Sequence, residues 1–259
     1  MPMQLECKIV HKSLMGDGAV YMVLEVGDMV RKTCKGPGQF VHIKCGEGSL
    51  LRRPISVCSC MADEPEDTLA IAFEVRGEGT AWLAEREVGE KLDVLGLLGH
   101  GFQVDPEGRY LLVGGGIGIP PMRGCAQYTQ GKSTAILGGR SADKIILLDC
   151  FRDECAEVQV ATDDGSLGYH GYVDALVRQT LEKDKDFTAV LACGPKPMLR
   201  NVAKVAEEFG VPCQVSMEER MGCGVGACLV CACDMADGTR KHVCKDGPVF
   251  DSKEVDWDA

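Results

Sequence analysis

The chain has 259 residues, of which 45% are hydrophobic and 26% charged, and its formal net charge at pH 7 is -11. This length suits two domains or one domain with appendages, and the negative charge argues against nucleic acid or an anionic membrane surface as a partner. The longest uncharged runs, residues 110–122 and 221–233, are too short and too rich in glycine or proline to span a bilayer.

Fifteen cysteines occur in a sequence whose start shows no secretory pattern. Such a cysteine content indicates a reducing compartment, in which thiols stay free or bind metal instead of pairing as disulfides. We therefore expect a cytoplasmic protein without a membrane anchor. Ten of the cysteines lie in mostly apolar surroundings within the first 213 residues and are expected to pack as small hydrophobic side chains.

Short apolar segments fill the first hundred residues and alternate with glycine, proline or charged stretches such as MADEPED at 61–67. The predicted strands are QLECKIV, AVYMVLEV, GQFVHIK, RPISVCSC, TLAIAFEV and KLDVLGL, and TAWLAER is a short helix. Repeated short strands with this punctuation predict a small antiparallel β-barrel or sandwich over residues 1–101.

The hydrophobic period changes from residue 109 onwards. Four apolar strands, YLLV, TAIL, EVQVAT and TAVLACG, alternate with helical segments such as YVDALVRQTL and KPMLRNVAKVAEEFG. That alternation predicts βαβ units and a central α/β domain with a parallel sheet over 102–212. A glycine- and cysteine-rich subdomain over 213–259 completes a multidomain fold of the α+β class.

Three glycine-containing motifs follow strands of the predicted parallel sheet. They are LLVGGGIGIPPM with Gly114, Gly116, Gly118 and Pro121, ATDDGSLG with Asp163, and ACGPKPM with Cys193, Gly194 and Pro195. Ligands of open α/β sheets bind beyond the carboxyl ends of the strands, where such glycines let the backbone approach a pyrophosphate. The last glycine of the usual dinucleotide fingerprint is replaced by Pro121, so one motif alone is also compatible with a plain turn. The presence of all three motifs at strand ends predicts nucleotide binding.

Two motifs of the predicted barrel can supply contacts to a phosphate. LRRPIS places Arg53 at the start of a strand, next to Pro54, and GEGT places Gly79 and Thr80 at the start of the short helix. Thr80 can cap this helix or offer its hydroxyl to a phosphate. Arg53 and the helix start together predict a pyrophosphate clamp, although surface arginines are commonly only solvated.

Cys223, Cys228, Cys231 and Cys244 form the most specific pattern. The spacing C-x4-C-x2-C with a distant fourth cysteine is that of plant-type [2Fe-2S] sites. Zinc is the alternative, because CLVC is a C-x2-C pair, but structural zinc usually takes two short pairs. We expect Cys233, two residues beyond a ligand, to pack or stay free, and His242 to lie at the surface.

The motifs LRRPIS, GEGT, GGGIGIPPM, CGP, MGCGVGACLVC and VCKDGPVF resemble those of ferredoxin reductase-like flavoproteins. Within that superfamily they resemble the electron transfer subunits of NAD-dependent (class 1B) dihydroorotate dehydrogenases, over essentially the whole chain. The resemblance implies FAD, one [2Fe-2S] cluster and a partner subunit with FMN, in a heterotetramer with two copies of each. Electrons would pass from dihydroorotate through FMN, the cluster and FAD to NAD+ in pyrimidine biosynthesis. No catalytic residue is expected in this chain, because the redox chemistry belongs to the cofactors.

The same resemblance assigns individual residues. Those that would contact FAD are Arg53, Pro54, Ile55 and Ser56, with Ala72, Phe73 and Glu74 along the flavin and Gly79 and Thr80 at the pyrophosphate. The nicotinamide would dock near Cys193 and Gly194, and the cluster ligands would be the four cysteines. The family usually has GPLGNGF where this chain has GLLGHGF, so contacts around Leu97 and His100 are left open. Arg140 and Ser141 leave open a preference for NADP, because they could contact a 2′-phosphate.

Two other functions remain compatible with the sequence. One is a related FAD and iron–sulfur subunit of a ferredoxin:NADP oxidoreductase, a hydrogenase or a sulfite reductase, which would share these motifs. The other is a zinc-stabilised binding protein without redox function, which would leave the nucleotide motifs without a role.

Overall fold

The computed structural model describes residues 2–16, 18–60 and 67–259. Residues 1, 17 and 61–66 lie outside the described residues, and with them all but the last residue of the predicted separator MADEPED. None of the helices in the described ranges is both long and apolar enough to cross a membrane.

Six antiparallel strands form a closed barrel in the order β1-β2-β5-β4-β3-β6, which confirms the predicted barrel. The strands are β1 (Met3–Met15), β2 (Ala19–Glu25), β3 (Phe40–Ile43), β4 (Arg53–Ser59), β5 (Thr68–Glu74) and β6 (Lys91–Leu98). Helix α2 (Glu78–Ala84) is the one predicted, and the short helix α1 (Met29–Thr33) was not predicted. Closure leaves no unpaired sheet edge.

A mostly parallel seven-stranded sheet follows, in the order β10-β9-β8-β7-β11-β12-β15. Its strands are β7 (Tyr110–Gly115), β8 (Thr134–Gly139), β9 (Glu157–Thr162), β10 (Tyr169–His170), β11 (Ala189–Cys193), β12 (Cys213–Ser216) and β15 (Val249–Asp251). The helices are α3 (Ile119–Thr129), α4 (Leu148–Glu154), α5 (Val173–Lys183) and α6 (Lys196–Phe209). The four strands predicted from the alternating pattern are thus confirmed, and β15 is the antiparallel member.

The cysteine-rich segment is an excursion between two strands of this sheet. Strand β12 pairs with β11, and β15 pairs with β12, so hydrogen bonding continues across residue 212. A small hairpin of β13 (Ala232–Asp234) and β14 (Arg240–His242) lies within the excursion. The domain limits at 101 and 212 stay a prediction, drawn from changes of period and composition.

Gly118, between β7 and α3, lies where two backbone segments approach closely. A Cβ atom at this position would be 2.3 Å from the Cys193 carbonyl oxygen and 2.7 Å from the Gly194 nitrogen, at the end of β11. Any side chain there must push α3 away from the sheet.

We therefore expect Gly118→Ala to destabilise the protein by about 1–3 kcal/mol, as overpacking of a close contact does. The matched control is Gly48→Ala, because nothing lies within 4 Å of a Cβ at that position. Urea unfolding followed by fluorescence compares the two variants. Equal midpoints for both would contradict this account of the turn.

Candidate functional site

A cavity of about 1030 Å³ lies between the barrel and the sheet. Most of the predicted nucleotide-contacting residues line it, although they come from both domains. They are Arg53, Pro54, Ile55, Ser56, Ala72, Phe73, Glu74, Thr80, Gly116, Gly118, Asp163, Cys193, Gly194 and Pro195. The fold thus brings together motifs that are more than a hundred residues apart in the chain.

Gly79, Gly114 and Pro121 do not line the cavity, although each belongs to a motif that does. A Cβ at Gly79 would be 2.5 Å from Arg53 Nε, so the guanidinium lies directly on the helix backbone. A Cβ at Gly114 would be 2.9 Å from the Ile119 Cα atom, at the start of α3. Pro121 is buried in the first turn of that helix.

On the barrel side, β4 presents the RPIS motif to the cavity. Arg53 Nη1 donates a hydrogen bond to the Leu51 carbonyl at 2.5 Å. Among the described residues no carboxylate forms an ion pair with Arg53, although the chain is strongly acidic. A half-buried guanidinium without an acidic partner is suited to bind an anion such as a phosphate.

Thr80 caps the start of α2. Its hydroxyl oxygen accepts hydrogen bonds from the backbone N–H groups of Arg76 at 2.8 Å and Gly77 at 3.1 Å. The same hydroxyl lies 3.0 Å from the Gly77 carbonyl, to which it donates. The capping role expected from the sequence is therefore the one the structure shows.

On the sheet side, the carboxyl ends of β7, β8, β9 and β11 meet at the cavity. Strand β7 has β8 on one side and β11 on the other, so the strand order reverses beside it, as it does at the ligand crevice of doubly wound sheets. The Cys193 thiol is buried there; burial raises its pKa to about 12, although the Ser216 hydroxyl acts in the opposite direction. Cys193 is therefore a neutral thiol at neutral pH and not an activated nucleophile.

The sequence reasoning missed several residues of the lining. Gly138 and Gly139 end β8, and their position after a strand was a signal that could have found them. Phe40 was not predictable, because it reaches the cavity by pairing opposite Ser56 in the barrel. Of the two residues considered for a 2′-phosphate, Arg140 lines the cavity. The Ser141 hydroxyl donates to the Asp143 carboxylate at 2.5 Å. Other missed lining residues are Lys144, Tyr172, Asp174, Asn201, Glu218, Glu219 and Met221.

The four predicted cluster ligands lie together as two pairs of thiols. The Cys228 thiol is close enough to Cys223 to lower its pKa, and the Cys231 thiol is close enough to Cys244 to raise its pKa. The first pair lies at the surface, where Cys228 is exposed, and the second pair is buried. The described ranges hold no group of three His, Cys, Asp or Glu side chains arranged to hold a single metal ion.

Backbone N–H groups of the loop point at these sulfur atoms. The Cys223 Sγ atom accepts from Val225 at 3.4 Å, from Ala227 at 3.2 Å and from Cys228 at 3.4 Å. Burial alone would raise the pKa of Cys223, but these N–H groups and the Cys228 thiol outweigh it and lower the pKa to about 6. The loop therefore stabilises a thiolate, which is the form that ligates metal.

The second pair receives the same kind of contact. The Gly226 N–H donates to Cys244 Sγ at 3.2 Å, and the Cys244 N–H donates to Cys231 Sγ at 3.4 Å. Burial and the neighbouring Cys231 thiol nevertheless raise the pKa of Cys244 to about 12. Iron or another cation would have to displace that proton on binding.

Two further residues of the cysteine-rich segment, Cys233 and His242, contact other parts of the same segment. Cys233 is buried, and its thiol donates to the Lys241 carbonyl at 3.4 Å. His242 lies near the surface beside Asp246, with 3.5 Å between Nδ1 and Oδ2.

At the end of the barrel, the two positions at which this chain departs from the family pattern also have contacts. Leu97 is buried and its N–H donates to the Thr33 hydroxyl. The His100 N–H donates to the Gly247 carbonyl at 2.6 Å.

Family models match two parts of the chain. Residues 218–256 match the iron–sulfur cluster binding domain of dihydroorotate dehydrogenase B, and residues 112–204 match an oxidoreductase NAD-binding domain. Among solved structures, the chain is similar to one in the structure of an NADH-dependent reduced ferredoxin-NADP oxidoreductase, with 31% identity, a TM-score of 0.84, and coverage of 98% of this chain and 91% of that one. A ferredoxin reductase in carbazole 1,9a-dioxygenase, at 20% identity, a TM-score of 0.65 and coverage of 82% and 67%, shares the fold.

Curated relatives match over most of their length. The chain is 42% identical to the electron transfer subunit of dihydroorotate dehydrogenase B (NAD(+)) from Geobacillus thermodenitrificans, over 85% of this chain and 86% of that one. It is 37% identical to the subunit of the same name from Desulforamulus reducens, over 98% of each chain. The chain therefore belongs to the family of NAD-linked electron transfer subunits of dihydroorotate dehydrogenase B, and it is an oxidoreductase subunit.

Proposed function

We propose that this subunit passes electrons from an FMN-containing, dihydroorotate-oxidising partner to NAD+, with FAD in the cavity and a [2Fe-2S] cluster on the four cysteines. The observation that carries the proposal is that the two sites adjoin each other. Met221 lines the cavity and lies two residues before Cys223. The loop residue Gly224 packs against Leu98 of the barrel, as a Cβ there would be 3.1 Å from its Cδ1 atom.

A bound flavin would exchange a hydride with nicotinamide and single electrons with the cluster. The chain itself binds and orients these groups. Arg53, held on the Gly79 backbone, would supply a positive charge for the pyrophosphate, and the cavity-lining residues of β4 and β5 would contact the flavin. The strand ends around Gly116, Asp163 and Cys193 are suited to receive NAD+ or NADH.

The spacing of the cysteines supports the [2Fe-2S] type over zinc. A binuclear cluster needs two ligands on each of two iron atoms, and C-x4-C-x2-C followed by the distant Cys244 is the spacing of plant-type [2Fe-2S] sites. A single zinc ion would need all four sulfur atoms around one centre. The N–H groups directed at the sulfurs suit a negatively charged cluster.

An apolar surface beside Cys228 supports docking of the partner there. Val225, Leu229 and Val230 are 43%, 63% and 54% exposed, an unusual set of neighbours for a soluble loop. Burying them under the partner would bring its FMN close to the cysteines. We propose a heterotetramer with two copies of each subunit, assembled in the cytoplasm.

A second candidate is the corresponding subunit of an NADH-dependent reduced ferredoxin-NADP oxidoreductase. The structural likeness to such a protein at 31% identity favours it, whereas the 42% identity to a dihydroorotate dehydrogenase B subunit favours the first. Arg140 and Lys144 line the cavity and could bind the 2′-phosphate of NADP+. The rates with NAD+ and with NADP+ must therefore be compared directly.

Co-expression with the FMN subunit of the Geobacillus thermodenitrificans enzyme tests the proposal. We expect dihydroorotate-dependent reduction of NAD+ that the FMN subunit alone does not give, and slower reduction of NADP+. The same preparation is assayed for NADH-dependent electron transfer between ferredoxin and NADP+. Activity in the second assay alone would overturn the first proposal in favour of the second.

Replacing a predicted ligand separates cluster binding from flavin binding. We expect Cys228→Ser to abolish the paramagnetic resonance signal of the reduced cluster and most bound iron and sulfide, while flavin content stays unchanged. The matched control is Cys233→Ser, which changes a neighbouring cysteine that donates to a carbonyl instead. Full iron content in the first variant, or its loss in the second, would contradict the ligand set.

The two glycines of the GEGT turn test the role of Arg53. Gly79→Ala must displace the guanidinium, since a Cβ would lie 2.5 Å from Nε, whereas nothing lies within 4 Å of a Cβ at Gly77. We expect Gly79→Ala to weaken FAD binding by about 1.5–3 kcal/mol, the worth of a hydrogen bond to a charged group, and Gly77→Ala to leave it unchanged. Titration of flavin-stripped protein with FAD measures both. Equal affinities would show that Arg53 does not hold the pyrophosphate.

A further inference from the structure

His42 of the barrel is fully buried beneath the cysteine loop. In strand β3, Val41 and Ile43 belong to the core inside the barrel, whereas Phe40 packs with the core outside it. Alternation along the strand places His42 on the outer face with Phe40. No part of the side chain is exposed to solvent, which is uncommon for a polar ring on the outside of a barrel.

The imidazole lies directly against the backbone that follows the first cluster cysteine. A Cβ at Gly224 would be 2.6 Å from His42 Nδ1 and 3.3 Å from Cε1, so the ring fills the space that a side chain would need. Gly224 has φ near 73°, which also favours glycine. The loop can therefore rest on the ring only because residue 224 has no side chain.

The polar groups beside the ring include two backbone carbonyls. These belong to Arg52, which precedes the RPIS motif, and to Cys223. Neither ring nitrogen makes a hydrogen bond of good geometry within the described residues. A buried polar ring without such a bond destabilises the folded chain, because its nitrogens have lost their hydrogen bonds to water.

Strand β3, which carries His42, is hydrogen-bonded to strand β4, which lines the cavity. His42 pairs with Pro54 in β4, between Arg53 and Ile55 of the lining. The Arg52 guanidinium donates to the His42 carbonyl at 3.4 Å and to the Asp93 carbonyl at 2.9 Å. His42 thus connects the flavin-lining strand to the loop of Cys223 through one side chain.

A neutral imidazole carries one N–H group, which can donate to the Arg52 or the Cys223 carbonyl beside it.

We propose that His42 is a positioning residue that holds the Cys223–Gly224 backbone against the flavin-lining strand and so fixes the separation of the two redox centres. The inference rests on the proposed function, because it concerns the distance between cofactors that the function requires. A rigid support matters here, because small displacements of reacting groups slow a reaction strongly. Without the ring, the backbone at Gly224 would lose its contact with β3 and keep the one with Leu98.

The test compares His42→Leu, His42→Asn and the control His11→Leu, which changes an exposed histidine of the same barrel. Each purified chain is mixed anaerobically with NADH. Flavin bleaching is followed optically, and cluster reduction is followed by paramagnetic resonance of rapidly frozen samples. Hydrogen exchange of residues 222–226 reports on the loop without any turnover.

We expect His42→Leu to retain iron and flavin and to bleach at the rate of the unchanged chain, but to reduce its cluster roughly tenfold more slowly or worse. Exchange of residues 222–226 should be faster in that variant. His42→Asn keeps an N–H donor, so its rate of cluster reduction and its hydrogen exchange should lie between those of His42→Leu and the unchanged chain. His11→Leu should change neither the rate of cluster reduction nor the exchange.

Cluster reduction at an unchanged rate in His42→Leu, or equal defects in the Leu and Asn variants, would overturn the inference. Loss of iron from both His42 variants would also overturn it, because His42 would then be needed for holding the cluster and not for placing it. If the unchanged chain itself carried neither flavin nor iron, the proposed function would fail, independently of His42.

Discussion

One shared hydrophobic core links the three parts of the molecule. Phe40 and Leu98 lie on the outside of the barrel, yet they belong to the same buried cluster as Val113 of the sheet and Cys231 and Cys244 of the excursion. The outer face of a small barrel usually meets water and carries polar residues, so an apolar outer face requires a cover. Burying that face fixes the barrel, the sheet and the cysteine loop relative to one another, and it places the cavity beside the loop.

The cavity carries charged groups of both signs, in a chain whose net charge is -11. Arg53, Arg140 and Lys144 line it together with carboxylates, which are Glu74, Asp163, Asp174, Glu218 and Glu219. Arg53 lies outside the ion pairs of the described chain. Carboxylates such as Glu74 are partly neutralised there, since Arg76 pairs with it at 3.0 Å. Arg53 is half-buried and has no carboxylate partner among the described residues, so it is the group of the lining most suited to bind a phosphate.

Short-range patterns predicted most of the fold and much of the site. Strand periods gave the barrel and the parallel sheet, and motifs at strand ends converged because parallel strands finish at one edge. Phe40 and His42 escaped prediction because their roles depend on pairing with β4 and on what covers β3, and both are non-local. For the same reason the sequence could not tell which motif residues line the cavity and which, like Gly79 and Pro121, do not.

The attachment of the cysteine segment at both ends bears on how the protein transfers electrons. The chain leaves the sheet after β12 and returns to it in β15, which pairs with β12 itself. Between these points it also contacts the barrel, where the His100 N–H donates to the Gly247 carbonyl and Gly224 rests on His42. A segment held at four places loses little further conformational entropy on docking with a partner. The cysteine loop is therefore fixed with respect to the cavity, and the exposed residues around Cys228 present a preformed surface to the proposed partner.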